Sequence, residues 1–156
     1  MLPGRMGEAI GRITTSSDGI LLGRTTYEMF EPTWSRRTAE EDPGAPFFND
    51  TRKYVVSATL TTATWRNSEI IGGYDPKRIQ QLKEESAQGL YVSGSGTLVR
   101  ALIADGLVDE LHLFLAPVVV GGGKSALPDG LRLDLELLSE RRFANGTLYL
   151  RYGIAA

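Results

Sequence analysis

Three short stretches carry residue types suited to holding an anion. In "LYVSGSGTLVRAL" (90–102), an apolar run leads into Gly94, Ser95, Gly96 and Thr97, and helical spacing follows. A helix that starts where a strand ends offers unpaired N–H groups and a partial positive charge. Glycines let a phosphate approach that backbone, and two hydroxyls add donors. The same residues would equally make an ordinary strand-to-helix turn. They are not a dinucleotide fingerprint: Val99 stands where the third glycine belongs, and no acidic residue ends a following strand at the expected distance.

A second stretch repeats the pattern. "ILLGRTTYEMF" (20–30) runs from strand through Gly23 into a helix opened by Arg24, Thr25 and Thr26. Arginine in a first turn opposes the helix dipole, and a bound anion would compensate, because a guanidinium grips phosphate with two N–H groups at once. A solvated arginine is the alternative. "KYVVSA" (53–58) places Ser57 near a third strand end, where it is either a further ligand or a plain terminator. In α/β sheets, ligands collect outside the carboxyl ends of strands. Three phosphate-competent strand ends therefore suggest a ligand with several phosphates.

Other residues offer less. His112 alternates with Leu111 and Leu113, so it belongs to the opposite face of a strand, as a sheet-surface or helix-covered side chain. Gly123-Lys124-Ser125 resembles the end of a P-loop. The leading glycine position is Val118, however, and Leu127-Pro128-Asp129-Gly130 argues against a following helix, so triphosphatase chemistry is excluded. Trp34 and Trp65 are expected in satellite packing. The carboxylates form no ligand-spaced cluster, and no metal is expected.

The elements that would position these residues read as one α/β domain. A helix over 5–16 leads through the Ser17-Asp18-Gly19 turn to the strand at 20–22. A helix follows from Thr25 to Phe30 and is stopped by Pro32, and 33–50 reads as a surface loop. Strands over 53–58 and 69–71 precede a helix capped by Asp75 and opened by Pro76. Then come a strand at 90–93, a helix over 95–105 and a long strand over 109–120. The alternating segments 133–143 and 147–153 are joined at Asn145-Gly146, a hairpin signal. Early alternation implies parallel strands with helical crossovers, and the hairpin implies an antiparallel edge on the same sheet.

Composition narrows the function classes. The chain has 156 residues, 42% hydrophobic and 23% charged, with a net charge of −2. That suits one globular domain and leaves no electrostatic footprint for nucleic acid or an anionic membrane. The absence of cysteine removes disulfides, thiolate nucleophiles and cysteine-type zinc sites, and one histidine does not favour a His-based metal site or a serine triad. No apolar run reaches the length of a membrane span or a signal peptide, and a cytoplasmic location is expected.

The order "LLGRTTYE", "KYVVS", "LYVSGSGTLVRALIADGLVDELHLFLAPVVVGGGKSALPDG" and the closing hairpin resembles the dihydrofolate reductase-like proteins. It is similar in particular to the C-terminal reductase domain of the riboflavin-biosynthesis deaminase/reductase. The resemblance implies a three-layer fold around a mixed sheet with a C-terminal antiparallel hairpin. It also implies an oxidoreductase using NADPH on a small heterocyclic, carbonyl or imine substrate, and a homodimer. Gly23, Arg24, Thr25 and Thr26 would then lie along the 2′-phosphate and pyrophosphate. Ser57 would help hold the 2′-phosphate, and Gly94, Ser95, Gly96 and Thr97 would cover the pyrophosphate. Gly121, Gly122 and Lys124 would border the substrate. Glu8 occupies the helix where the folate enzymes place their substrate-binding acid, as a proton donor or a solvated residue. Such proteins begin with a central strand and a loop over the nicotinamide, whereas this sequence opens at the first helix. The single domain 1–156 is therefore expected to be N-terminally short, with a gapped or rearranged sheet. The alternative function is an inactive nucleotide-binding or dimerising module of the same fold.

Overall fold

The computed structural model describes residues 4–94, 96–123, 125 and 127–155, with side chains from residue 10 onward. Five helices and seven strands are defined among them. In chain order they are α1 (Gly4–Thr15), β1 (Gly19–Gly23), α2 (Arg24–Trp34), α3 (Ala45–Asp50), β2 (Arg52–Val56), β3 (Ser68–Ile70), α4 (Pro76–Glu85), β4 (Leu90–Tyr91), α5 (Gly96–Ala104), β5 (Glu110–Leu115), β6 (Leu135–Arg142) and β7 (Leu148–Ile154).

Four strands form a parallel sheet in the order β3-β2-β1-β4. β1 lies inside it and is buried along its whole length, which is why it reads as an unbroken apolar run. Alternation along β1 separates two cores. Ile20 and Leu22 pack with Tyr27, Phe48, Val55 and Trp65 on one face. Leu21 packs with Ile79, Leu82, Leu98 and Leu102 on the other. Helices α2 and α3 thus cover one face and α4 and α5 the other, giving three layers.

The remaining strands form an antiparallel sheet in the order β5-β7-β6. Asn145-Gly146 makes the hairpin turn as expected. Gly146 has φ +88°, and the Asn145 Oδ1 atom accepts the Thr147 N–H at 3.0 Å. The architecture is mixed α/β with a C-terminal antiparallel hairpin, but the hairpin does not edge the parallel sheet. Among the described residues, β4 pairs with β1 and β5 pairs with β7, so the sheet is divided between β4 and β5. β4 has two paired residues, and beyond them the chain turns toward β1, where the Gly94 carbonyl accepts the Gly23 N–H at 3.3 Å. In β6, Leu135, Leu137 and Leu138 remain 39–47% exposed.

Several elements differ from the sequence reading. Pro32 lies inside α2, which runs on to Trp34. The polar stretch after it contains α3, anchored by Phe48 against Phe30 and stacked at 4.4 Å on Trp34. Trp65 is a core residue, 3% exposed, with its indole N–H given to Asn49 Oδ1 at 2.7 Å. β5 stops at Leu115, because Pro117 cannot donate to a ladder, and Val118, Val119 and Val120 stand 67–94% exposed. Among the described residues no helix is long and apolar enough to cross a membrane.

Candidate functional site

The three suspected strand ends meet. A cavity of about 390 Å³ opens at the carboxyl ends of β1 and β2, against the first turns of α2 and α5. Gly23, Arg24, Thr25, Ser57 and Thr97 make its polar side. Val56, Leu98 and Ala101, with the ring of Tyr74, make its apolar side. Two helix N-termini face one space. Neither α2 nor α5 has an acidic residue in its first turn, and Gly23 gives α2 no side-chain cap. The backbone N–H groups and the dipole ends of two helix starts make this side electropositive.

Arg24 is held at the rim. Its Nε donates to Glu28 at 2.8 Å and its Nη1 to Thr59 Oγ1 at 2.7 Å. A guanidinium carries five N–H donors, so donors remain for a phosphate. Ser57 Oγ accepts the backbone N–H of Thr59 at 3.3 Å and of Leu60 at 3.0 Å. That local turn fixes Thr59 where Arg24 can reach it, and the Ser57 and Thr59 hydroxyls stand 3.4 Å apart.

Thr26 and Gly94 are not among the residues that line the cavity, and they meet each other. Thr26 is buried, and a Cβ on Gly94 would meet its Oγ1 at 2.5 Å. With the bond from the Gly23 N–H to the Gly94 carbonyl, these residues form a seam that sets the two helix starts side by side. Gly96 is the first residue of α5. Gly121 and Gly122 have open space around them and do not line the cavity. Ser95, Lys124 and the side chain of Glu8 lie outside the described residues.

Three residues at or beside the cavity do not stand out in the sequence. Thr59 is signalled only by its spacing from Ser57. Tyr74 sits between Gly72-Gly73 and the Asp75-Pro76 helix start. Its hydroxyl donates to Asp105 Oδ2 at 2.7 Å and stands 3.2 Å from the Ala101 carbonyl. Burial, then the Asp105 carboxylate, raise the Tyr74 phenol above its ordinary pKa. Arg100 reaches back along α5, placing Nη2 at 3.5 Å from Thr97 Oγ1 and Nη1 at 2.8 Å from the Ser125 carbonyl.

His112 lies away from the cavity, half-buried on β5. Its Nδ1 is 2.6 Å from the Tyr149 hydroxyl and its Nε2 3.1 Å from Glu110. Arg151 grips the Glu110 carboxylate at 3.0 and 2.6 Å and lowers its pKa. Burial depresses the His112 pKa against the opposing pull of Glu110.

The mixed α/β architecture is that of a dihydrofolate reductase-type domain, and solved structures have a similar fold. A putative riboflavin biosynthesis protein from Shewanella sp. PV-4 superposes with a TM-score of 0.78 at 17% identity, covering 100% of this chain and 84% of that one. The Saccharomyces cerevisiae riboflavin biosynthesis reductase Rib7 gives 0.63 at 13% identity over 98% and 82%. Acinetobacter baumannii RibD gives 0.66 at 14%, with this chain spanning about half (52%) of that protein. The chain belongs to the family of the RibD C-terminal domain, whose model matches residues 3–149. Among curated proteins, YyaP of Bacillus subtilis (strain 168), described as uncharacterized, is 28% identical over 146 residues, 86% of this chain and 73% of that protein.

Proposed function

We propose that this chain is an NADPH-dependent reductase that delivers hydride to a small heterocyclic, pterin or riboflavin-precursor-like, or to a carbonyl or imine substrate. The observation that carries this reading is the convergence of Gly23-Arg24, Ser57 and the start of α5 on one cavity with an apolar, aromatic half. Phosphates suit the polar half and a purine suits the wall of Tyr74, Leu98 and Ala101. Arg24, with Ser57 and Thr59 beside it, would take a 2′-phosphate, and the first turn of α5 the pyrophosphate. Membership of the RibD C-terminal family supports the reductase reading, as do neighbours named for riboflavin biosynthesis. When bound, the cofactor would supply two electrons as hydride to an electrophilic substrate carbon, and a general acid or water would protonate the adjacent nitrogen or oxygen. The protein contributes positioning and exclusion of water.

A second reading is a module that binds the dinucleotide without turning over. It is favoured by Gly121 and Gly122 standing clear of the cavity. Titration of the full chain with NADPH and NADH, followed by calorimetry, tests both. Micromolar NADPH binding is expected, and Arg24→Ala is expected to weaken it by about 10-fold or more through lost charge-assisted bonds. NADH affinity should stay within a few-fold. Binding of neither cofactor would sink both readings. Consumption of reduced cofactor with a panel of pterins and aminopyrimidines separates the first reading from the second.

A further inference from the structure

Arg100 stands one turn into α5, four residues after Gly96. Helical side chains lean toward the N-terminus, so a long one at this position lies back over the first turn. The guanidinium does so. Nη1 is 3.2 Å from where a Cβ on Gly96 would stand, and Nη2 is 3.5 Å from Oγ1 of Thr97, a cavity-lining residue. Its partners are neutral oxygens, Thr97 Oγ1 and the Ser125 carbonyl. Among the described residues no carboxylate pairs with it, whereas Arg24 across the cavity is paired with Glu28. A guanidinium over a helix start, with no carboxylate to offset it, is electrostatically unfavourable until an anion arrives.

We propose that Arg100 is a direct ligand of the pyrophosphate, and that the two arginines divide the dinucleotide between them. Arg24 takes the 2′-phosphate, and Arg100 takes the phosphates that every nicotinamide dinucleotide shares. This rests on the dinucleotide reading above. Five N–H donors allow Arg100 to hold a phosphate oxygen without releasing Ser125. The rival role is a strut that only braces the Ser125 carbonyl against α5.

The test is calorimetry on the full chain with NADPH, NADH, ADP and adenosine 2′-monophosphate, using wild type, Arg24→Ala, Arg100→Ala and Arg100→Gln. Arg100→Ala is expected to weaken NADPH, NADH and ADP by a common factor of about 10 or more, and to leave adenosine 2′-monophosphate within about twofold. Arg24→Ala should give the complementary pattern, with losses only for the two ligands carrying the 2′-phosphate. Arg100→Gln keeps an amide donor for the Ser125 carbonyl and loses the charge, so it should behave like Arg100→Ala. Wild-type affinity for ADP and NADH in Arg100→Gln would overturn the proposal in favour of the strut, and so would losses in Arg100→Ala that follow the 2′-phosphate. Wild-type chain binding neither NADPH nor NADH would overturn the dinucleotide reading itself, a result distinct from failure of the Arg100 variants alone.

Discussion

Gly94→Ala should damage the seam between the two helix starts. The added methyl carbon would stand 2.5 Å from Thr26 Oγ1, and 3.6 Å from both its Cβ and its Cγ2. Real Cβ atoms essentially never come within 3.0 Å of such an atom, so the seam must open by about 0.5 Å, the difference between 3.0 and 2.5. Neither side yields easily. Thr26 is 8% exposed and β-branched, with few rotamers available. Gly94 is pinned through its carbonyl to the Gly23 N–H. Because the φ of Gly94 is outside the left-handed region, the cost is contact rather than backbone strain. Overpacking of this kind costs about 1–3 kcal/mol. For a chain of this size that lowers Tm by roughly 2–4 °C per kcal/mol. The assay is urea unfolding with the slope held constant, combined in a double-mutant cycle with Thr26→Ala. Removing both Thr26 branches should relieve the clash, with a favourable coupling of about 1 kcal/mol or more. Thr26→Val keeps the branch in place and should give no relief. If Gly94→Ala lies within about 0.5 kcal/mol of wild type, or if Thr26→Ala brings no rescue, the seam is not what fixes the two helix starts.

Two further perturbations probe the cavity wall and the buried charge beneath the sheet. Tyr74→Ala removes the aromatic wall and should weaken NADPH by about 10-fold, since base stacking on an aromatic contributes about 1–3 kcal/mol. Tyr74→Phe should cost about 1 kcal/mol of stability through the lost hydroxyl bonds while leaving affinity within a few-fold. Unchanged cofactor titrations for Tyr74→Ala would remove the ring from the site. Lys53 is fully buried, with its ammonium donating to the carbonyls of Phe48, Asn49 and Thr51 at 2.7, 3.1 and 3.0 Å. Burial, and then the Arg66 charge, lower its pKa to about 8 against the pull of Asp50. The unfolded chain keeps that proton up to 10.5. The unfolded state therefore binds more protons between these values, and stability rises with pH across that window, by at most about 1.4 kcal/mol per unit. Lys53→Met should be less stable throughout, through unpaired carbonyls, and should lack this slope. Urea midpoints from pH 8 to 10 measure the gap between wild type and variant, which should widen; a narrowing gap would refute the account.

How much of this could be read from the sequence depends on the distance over which each feature is decided. Asp75-Pro76 and Asn145-Gly146 were legible because capping and turn chemistry act within a few residues, and the Asp75 carboxylate does accept the Lys77 N–H at 3.1 Å. β1 was legible because burial on both faces leaves an unbroken apolar run. α3 was not, because six residues are too short to show a helical period, and its signal was the Phe47-Phe48 pair inside a polar stretch. Strand pairing is a different matter: alternation marks a strand but does not name its partner, and the expectation of a gapped or rearranged sheet came from the family resemblance alone. The site shows the same limit at the level of single side chains. A threonine hydroxyl in a first helical turn and a glycine at a strand end both read as phosphate ligands. In the fold Thr26 and Gly94 are each other's packing partners, because β4 lies beside β1 and brings the two junctions into contact. Arg100, a turn inside its helix, reads as surface until its direction is known. The glycine at 94 thus lets two helix starts lie close together at one cavity.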